Sequence, residues 1–164
     1  MDTDEVTRTT ALEQLDLLLG TWSIEAHFAG VPPSGVGGQT TFERALDGAF
    51  VVERSEVDHP DAPNGLAIIA FDPDTGAYRQ HYFDSRGVVR LYAMQVRDRV
   101  WTLLRDSADF TPLEFSQRFT GTFSEDGNRI DCRWEIAHDH TNWELDFELT
   151  YRRIEAPGAD PVAG

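Results

Sequence analysis

His81 and Tyr82 are adjacent in the sequence, and their side chains could do chemistry. An imidazole exchanges a proton near neutral pH, and a phenol can donate or accept a hydrogen bond beside it. Asp84 and Arg90 follow closely. His81 reads as a general base or a polar anchor if its strand faces a cavity, and otherwise as a surface or satisfied core histidine. Spacing fixes no second catalytic partner, so the catalytic residues stay unassigned, with His81 and Tyr82 as first candidates.

Other chemically capable residues have plainer readings. His138-x-His140 falls in HDHTN, with Asp139 between the two rings. Zinc normally takes three or four protein ligands and no third is marked, so a solvated turn is expected and no metal site. Glu25, Glu43 and Glu135 lie opposite apolar neighbours on their strands and read as outer-face charges, paired with an arginine such as Arg44 or Arg118. Cys132 alternates with Ile130 and Trp134, the pattern of a buried, inert thiol. The chain has no Gly-rich phosphate loop, no Gly-x-Ser-x-Gly elbow and no paired Cys motif. It has no lysine either, so lysine Schiff-base chemistry is excluded.

Composition narrows the partners. The net charge is −15, and a field of that sign repels nucleic-acid phosphates and anionic membrane surfaces. No apolar run approaches the roughly 20 residues of a membrane span. The acidic, polar N-terminus does not resemble a signal peptide, and the one cysteine cannot form an internal disulfide, so the expected compartment is cytoplasmic. The 164 residues are expected to form a single domain.

The elements that would position these residues follow from periodicity. Thr10 and Glu13 have the spacing of a capping box, and Leu12, Leu15, Leu18 and Leu19 recur on one helical face. Gly20 is a natural stop, and from Trp22 the period changes to two, with Ile24, Ala26 and Phe28 on one side. Ten strands are expected, near residues 22–28, 39–46, 50–58, 66–71, 77–83, 88–96, 99–105, 114–123, 129–137 and 143–153. Asp47-Gly48, Asp74-Thr75-Gly76, Ser85-Arg86-Gly87 and Asp126-Gly127 mark tight hairpins between them. Sequential hairpins make an antiparallel meander, and closure into an up-and-down barrel removes its edges. The fold class is therefore all-β, a ten-stranded antiparallel barrel with a short N-terminal helix closing one end; a two-sheet sandwich is second. The domain spans residues 10–154, between a flexible N-terminus (1–9) and a flexible C-terminal tail (155–164). In the last strand Trp143, Leu145, Phe147, Leu149 and Tyr151 share a face. Strands 77–83 and 88–96 are mixed, and pattern does not say which of their faces is inward.

Leu15 to Trp22, Leu-x-x-x-x-Gly-Thr-Trp, resembles the opening of calycin-like barrels, the group of lipocalins, fatty-acid-binding proteins and nitrobindins. Phe42-Glu43-Arg44-x-Leu46-x-Gly48, Tyr82-Phe83-Asp84-Ser85-x-Gly87, Trp134-Glu135 and Trp143 through Tyr151-Arg152-Arg153 resemble a bacterial branch of unknown function with a nitrobindin-like barrel. The resemblance, over residues 12–154, implies a ten-stranded barrel with an internal cavity for a small, largely apolar molecule. Nitrobindins bind haem through a histidine on the last strand. Residues 142–154 hold no His, Cys or Met, so haem does not carry over and no cofactor is expected.

A barrel of this width is expected to keep a ligand cavity. Trp22, His81, Arg90, Tyr92, Arg118, Trp134 and Phe147 are its expected ligand-binding residues. Binding of a small apolar molecule is the first reading. A cyclase or isomerase shaping an apolar intermediate in the same space is the alternative. A homodimer is compatible with the pattern.

Overall fold

The computed structural model describes residues 3–28 and 37–155. The remainder of the Pro- and Gly-rich segment, 29–36, and of the C-terminal tail, 156–164, lies outside the described residues.

Ten strands form one closed antiparallel barrel. They are β1 (Gly20–His27), β2 (Gly37–Ala45), β3 (Phe50–Val57), β4 (Gly65–Asp72), β5 (Ala77–Asp84), β6 (Val89–Arg97), β7 (Val100–Arg105), β8 (Ser116–Phe123), β9 (Arg129–Ala137) and β10 (Glu144–Glu155). Each pairs with its neighbour in sequence, and β1 pairs with β10 to complete the ring. Closure leaves no unpaired strand edge, as the meander required.

The helix differs from the capping-box reading. Helix α1 runs over Thr3–Glu13, so Thr10 lies inside it rather than at its cap, and residues 3–9 are helical. No glycine or proline interrupts this stretch, so nothing stops the helix from starting early. A 3-10 turn, Asp16–Leu18, follows. Gly20 then takes φ +117°, a conformation open to glycine, and β1 begins.

Leu12, Leu15 and Leu18 are buried with Trp22 in the core, so the apolar face plugs one end of the barrel. Four strands hold the plug in place. Tyr78 on β5 donates its hydroxyl to the Ala11 carbonyl at 2.7 Å. Trp22 on β1 donates Nε1 to the Leu18 carbonyl at 2.8 Å. Arg44 on β2 pairs with Asp16, and Arg153 on β10 donates to the carbonyls of Leu17 and Leu19. The Arg153 guanidinium also lies 4.1 Å from the centre of the Trp22 ring.

Side-chain packing divides the barrel into two halves. Toward the helix, Trp22, Phe42, Val51, Ile69, Met94 and Ile130 fill the interior. Trp101 sits at the boundary, edge-on to Phe42, Phe119 and Tyr151. The other half is hollow.

A bulge on β10 changes which residues are inside. Register slips between Leu145 and Phe147, so Leu145 sits opposite Glu135 and Phe147 opposite Trp134. Phe147, Leu149 and Tyr151 keep the inner face. Leu145 is 50% exposed, and Trp143 stacks under Arg118 on the outside. The single apolar face expected for the whole strand is thus broken by the extra residue, Asp146.

Candidate functional site

The hollow half is a cavity of about 510 Å³ at the end opposite α1. Every described strand contributes to its wall. Most of the lining is aromatic or aliphatic, including Phe28, Leu103, Phe115, Phe119, Trp134 and Phe147. A smaller set of polar groups interrupts that wall, as small-molecule sites require.

The mixed strands resolve cleanly. On β5, Tyr78 and Gln80 are buried, and Gln80 and Tyr82 line the cavity. On β6, Arg90 and Tyr92 line it, and Met94 packs into the core. His81 therefore takes the other face, between Gln80 and Tyr82, and does not line the cavity. Its cross-strand neighbours are Ile68 and Leu91. This corrects the reading of His81 as an interior base. Strand alternation allows Tyr82 or His81 inside, not both.

The other expected residues divide the same way. Arg90, Tyr92, Trp134 and Phe147 line the cavity. Trp22 does not, because it belongs to the plug beneath the floor. Arg118 does not, because it lies opposite Glu135 on the outer face and donates Nε and Nη2 to that carboxylate at 3.0 and 2.9 Å. This ion pair holds the Glu135 carboxyl below its ordinary value. Glu43 faces Arg54 at 3.7 Å, and Glu25 is half exposed beside His27. His138 and His140 do not converge: His140 Nδ1 bonds Ser116 Oγ at 2.9 Å, while His138 faces Glu144. Among the described residues no group of three or more His, Cys, Asp or Glu could hold a metal ion. Burial pushes the Cys132 thiol up, in keeping with an inert sulfur.

Tyr82 and the two cavity arginines belong to small networks. The Tyr82 hydroxyl donates to Asp84 Oδ2 at 3.0 Å, and Arg86 donates to the same oxygen at 2.7 Å. Burial pushes Asp84 up, but the Arg86 and Tyr82 hydrogen bonds outweigh it and hold the carboxyl below its usual range. Arg90 and the Tyr92 hydroxyl both donate to Gln117 Oε1 at 3.2 Å. Burial raises the phenols of Tyr82, Tyr92 and Tyr151, so all three stay neutral.

Sequence reasoning missed a buried carboxyl on the cavity wall. Glu53, on β3, is 9% exposed and lines the cavity. Ser55 Oγ donates to its Oε1 at 3.5 Å, and Ser55 in turn meets Thr40 Oγ1 at 2.8 Å. Burial pushes the Glu53 carboxyl up to about 7, against a small lowering by Ser55. Gln80 and Trp101 also line the cavity, and their Oε1 and Nε1 atoms are buried without a hydrogen-bond partner. A signal for Glu53 was present. In FVVERSEV, Val51, Glu53, Ser55 and Val57 alternate with Val52, Arg54 and Glu56, so either face of this strand carries charge. One charged face had to be inside.

A family model described as "Protein of unknown function (DUF1579)" matches residues 8–153 of the chain. No curated protein matches it. Among solved structures, the crystal structure of a protein of unknown function from the DUF3598 family of Nostoc punctiforme PCC 73102 is similar at 9% identity. That match covers 88% of this chain and 99% of the other, with a TM-score of 0.27.

Proposed function

The chain belongs to the DUF1579 family, and we propose that it binds a small, largely apolar molecule inside its barrel. One observation carries the reading: a 510 Å³ cavity, walled by aromatic and aliphatic side chains, with the buried carboxyl of Glu53 on its wall. Burying a carboxyl without a cationic partner costs free energy, and such groups are kept at sites. The proposal includes kinship with the calycin-like barrels. The helix plug, the Gly-Thr-Trp entry into β1 and the β1–β10 closure support it. A small molecule is the proposed partner, rather than nucleic acid or a membrane, because the net charge of −15 repels both. No helix among the described residues is long and apolar enough to cross a membrane. A cytoplasmic location remains part of the proposal.

Native mass spectrometry against fatty acids, polyketide-like compounds and porphyrins tests this reading. Saturable one-to-one adducts with at least one apolar class are expected, and their complete absence would remove it. Haem is expected to fail within that panel. Among the described residues no His, Cys or Met is on the cavity wall, and the tyrosines there are neutral phenols, poor iron ligands. Purified protein is expected to be colourless, and haemin to give no sharp, stoichiometric Soret shift. A one-to-one haem complex abolished by Tyr151→Phe would contradict this.

Glu53 also favours the second reading, a cyclase or isomerase. A carboxyl near 7 in an apolar cavity is suited to move a proton to and from a substrate. In that case Glu53 replaces His81 as the acid–base residue, with Tyr82 as an orienting hydroxyl. Turnover that survives Glu53→Gln unchanged would leave the residue without that role.

A further inference from the structure

We propose that the cavity takes an amine: a primary or secondary ammonium on an apolar, ring-sized body, seated against Glu53. The proposal rests on the reading of the barrel as a ligand site and names the class of ligand.

The argument starts from what the interior lacks. Among the described residues two acids line the cavity, Glu53 and Asp146; Asp146 is exposed on β10, whereas Glu53 is buried and no basic side chain pairs with it. Of the arginines on the lining, Arg86 pairs with Asp84, while Arg90 donates to the neutral Gln117 amide and keeps its charge; neither forms an ion pair with Glu53. A buried carboxyl without a cationic partner is completed by a ligand that brings donors and positive charge together. An anionic ligand would add charge of the same sign beside Glu53. A neutral one would leave the carboxyl protonated. The rings of Tyr82, Tyr92, Trp101, Phe119, Trp134 and Tyr151 supply the wall for an apolar body. The net charge of −15 draws cations toward the protein as a whole.

A pH signature follows. Around Glu53 stand Ser55 on its own strand, Phe42 and Thr40 on β2, and Ala67 on β4, none of which titrates. The titratable groups that sense it across the barrel are Tyr151 on β10 and Cys132 on β9, both kept neutral by burial. Glu53 therefore titrates as a single group, near 7 in the free protein. An ammonium beside it favours the carboxylate, so binding strengthens as pH rises through that value and releases a proton below it.

Isothermal titration calorimetry with 1-naphthylmethylamine and its uncharged counterpart 1-naphthylmethanol tests the proposal. The wild-type protein is expected to prefer the amine about tenfold or more at pH 8, and to lose about tenfold in amine affinity by pH 6. Glu53→Gln is expected to abolish the preference. Glu56→Gln, which removes an exposed charge from the opposite face of β3, is expected to keep it. Equal binding of the two compounds, or a preference that survives Glu53→Gln, would overturn the amine assignment while leaving the ligand-site reading intact. Saturable binding of the alcohol alone would do the same. Binding of neither would overturn both.

Discussion

Glu53→Gln is expected to stabilise the empty protein by about 3 kcal/mol at pH 8 and by almost nothing at pH 4. The sign follows from proton linkage. Burial raises the folded-state pKa of Glu53 from 4.5 to about 7. Below 4.5 both folded and unfolded chains hold the proton, and the residue costs nothing extra. Between 4.5 and 7 the unfolded chain ionises and the folded chain does not, so wild-type stability falls as pH rises. Above 7 the whole cost is present. Each pKa unit is worth about 1.4 kcal/mol, which gives the figure of about 3. Glutamine keeps an acceptor for Ser55 and removes the ionisation. Urea denaturation of both proteins at pH 4, 6 and 8 checks the prediction. A variant that is less stable at pH 8, or whose advantage is the same at every pH, would contradict it. A residue that lowers stability at neutral pH and is easily replaced points to a site rather than to packing.

Arg105→Ala is expected to cost about 3–5 kcal/mol, the range for leaving one partner of a buried ion pair alone. Arg105 closes β7 and is 3% exposed. Its Nε and Nη2 donate to Asp109 at 2.8 and 3.0 Å, and Nη2 also reaches the Thr111 carbonyl. Asp109 accepts the backbone N–H groups of Leu91 and Thr111 as well. The pair ties the segment after β7 to β6 at the cavity end of the barrel. Arg105→Lys, which keeps the charge but not the two-bond fork, is expected to fall between the wild type and Ala. The Arg105 hydrogen bond holds the Asp109 carboxyl well below the usual aspartate range. That stabilisation is complete above the ordinary value of about 4 and is lost as pH falls below it. The gap between wild type and Arg105→Ala is therefore expected to narrow in acid. A loss below 1 kcal/mol at neutral pH in a denaturant titration would contradict the prediction.

The strand order was readable because the local signals agreed with one another. Alternation in β8, β9 and most of β10, together with turn pairs such as Asp47-Gly48, leaves few ways to arrange the chain. Leu46, Asp47 and Gly48 do take positive φ there. The turn between β6 and β7 carries no glycine, yet Asp98 and Arg99 both adopt positive φ, the twist a two-residue hairpin needs. The interior was harder to read, for reasons particular to each residue. Tyr82 and His81 are both plausible cavity residues, and nothing local decides the phase of their strand. Trp22 is as apolar as a pocket wall, but the plug consumes it. Leu145 was misplaced by a one-residue bulge that leaves no mark in composition. Glu53 was passed over because carboxylates are usually outside. That rule fails at sites, where a charged group is kept against its solvation cost.

The central claim is that the hollow half of the barrel holds a ligand. Ala67 lines the cavity on β4 and is 2% exposed, so a large side chain there must grow into the space. Fluorescence titration with the neutral probe N-phenyl-1-naphthylamine compares the wild type with Ala67→Trp. Unchanged far-ultraviolet circular dichroism confirms that the variant keeps the barrel. Saturable one-to-one binding by the wild type, weakened about tenfold or more by Ala67→Trp, is the predicted result. Equal affinity in the two folded proteins, or no saturable binding by the wild type, would contradict the account.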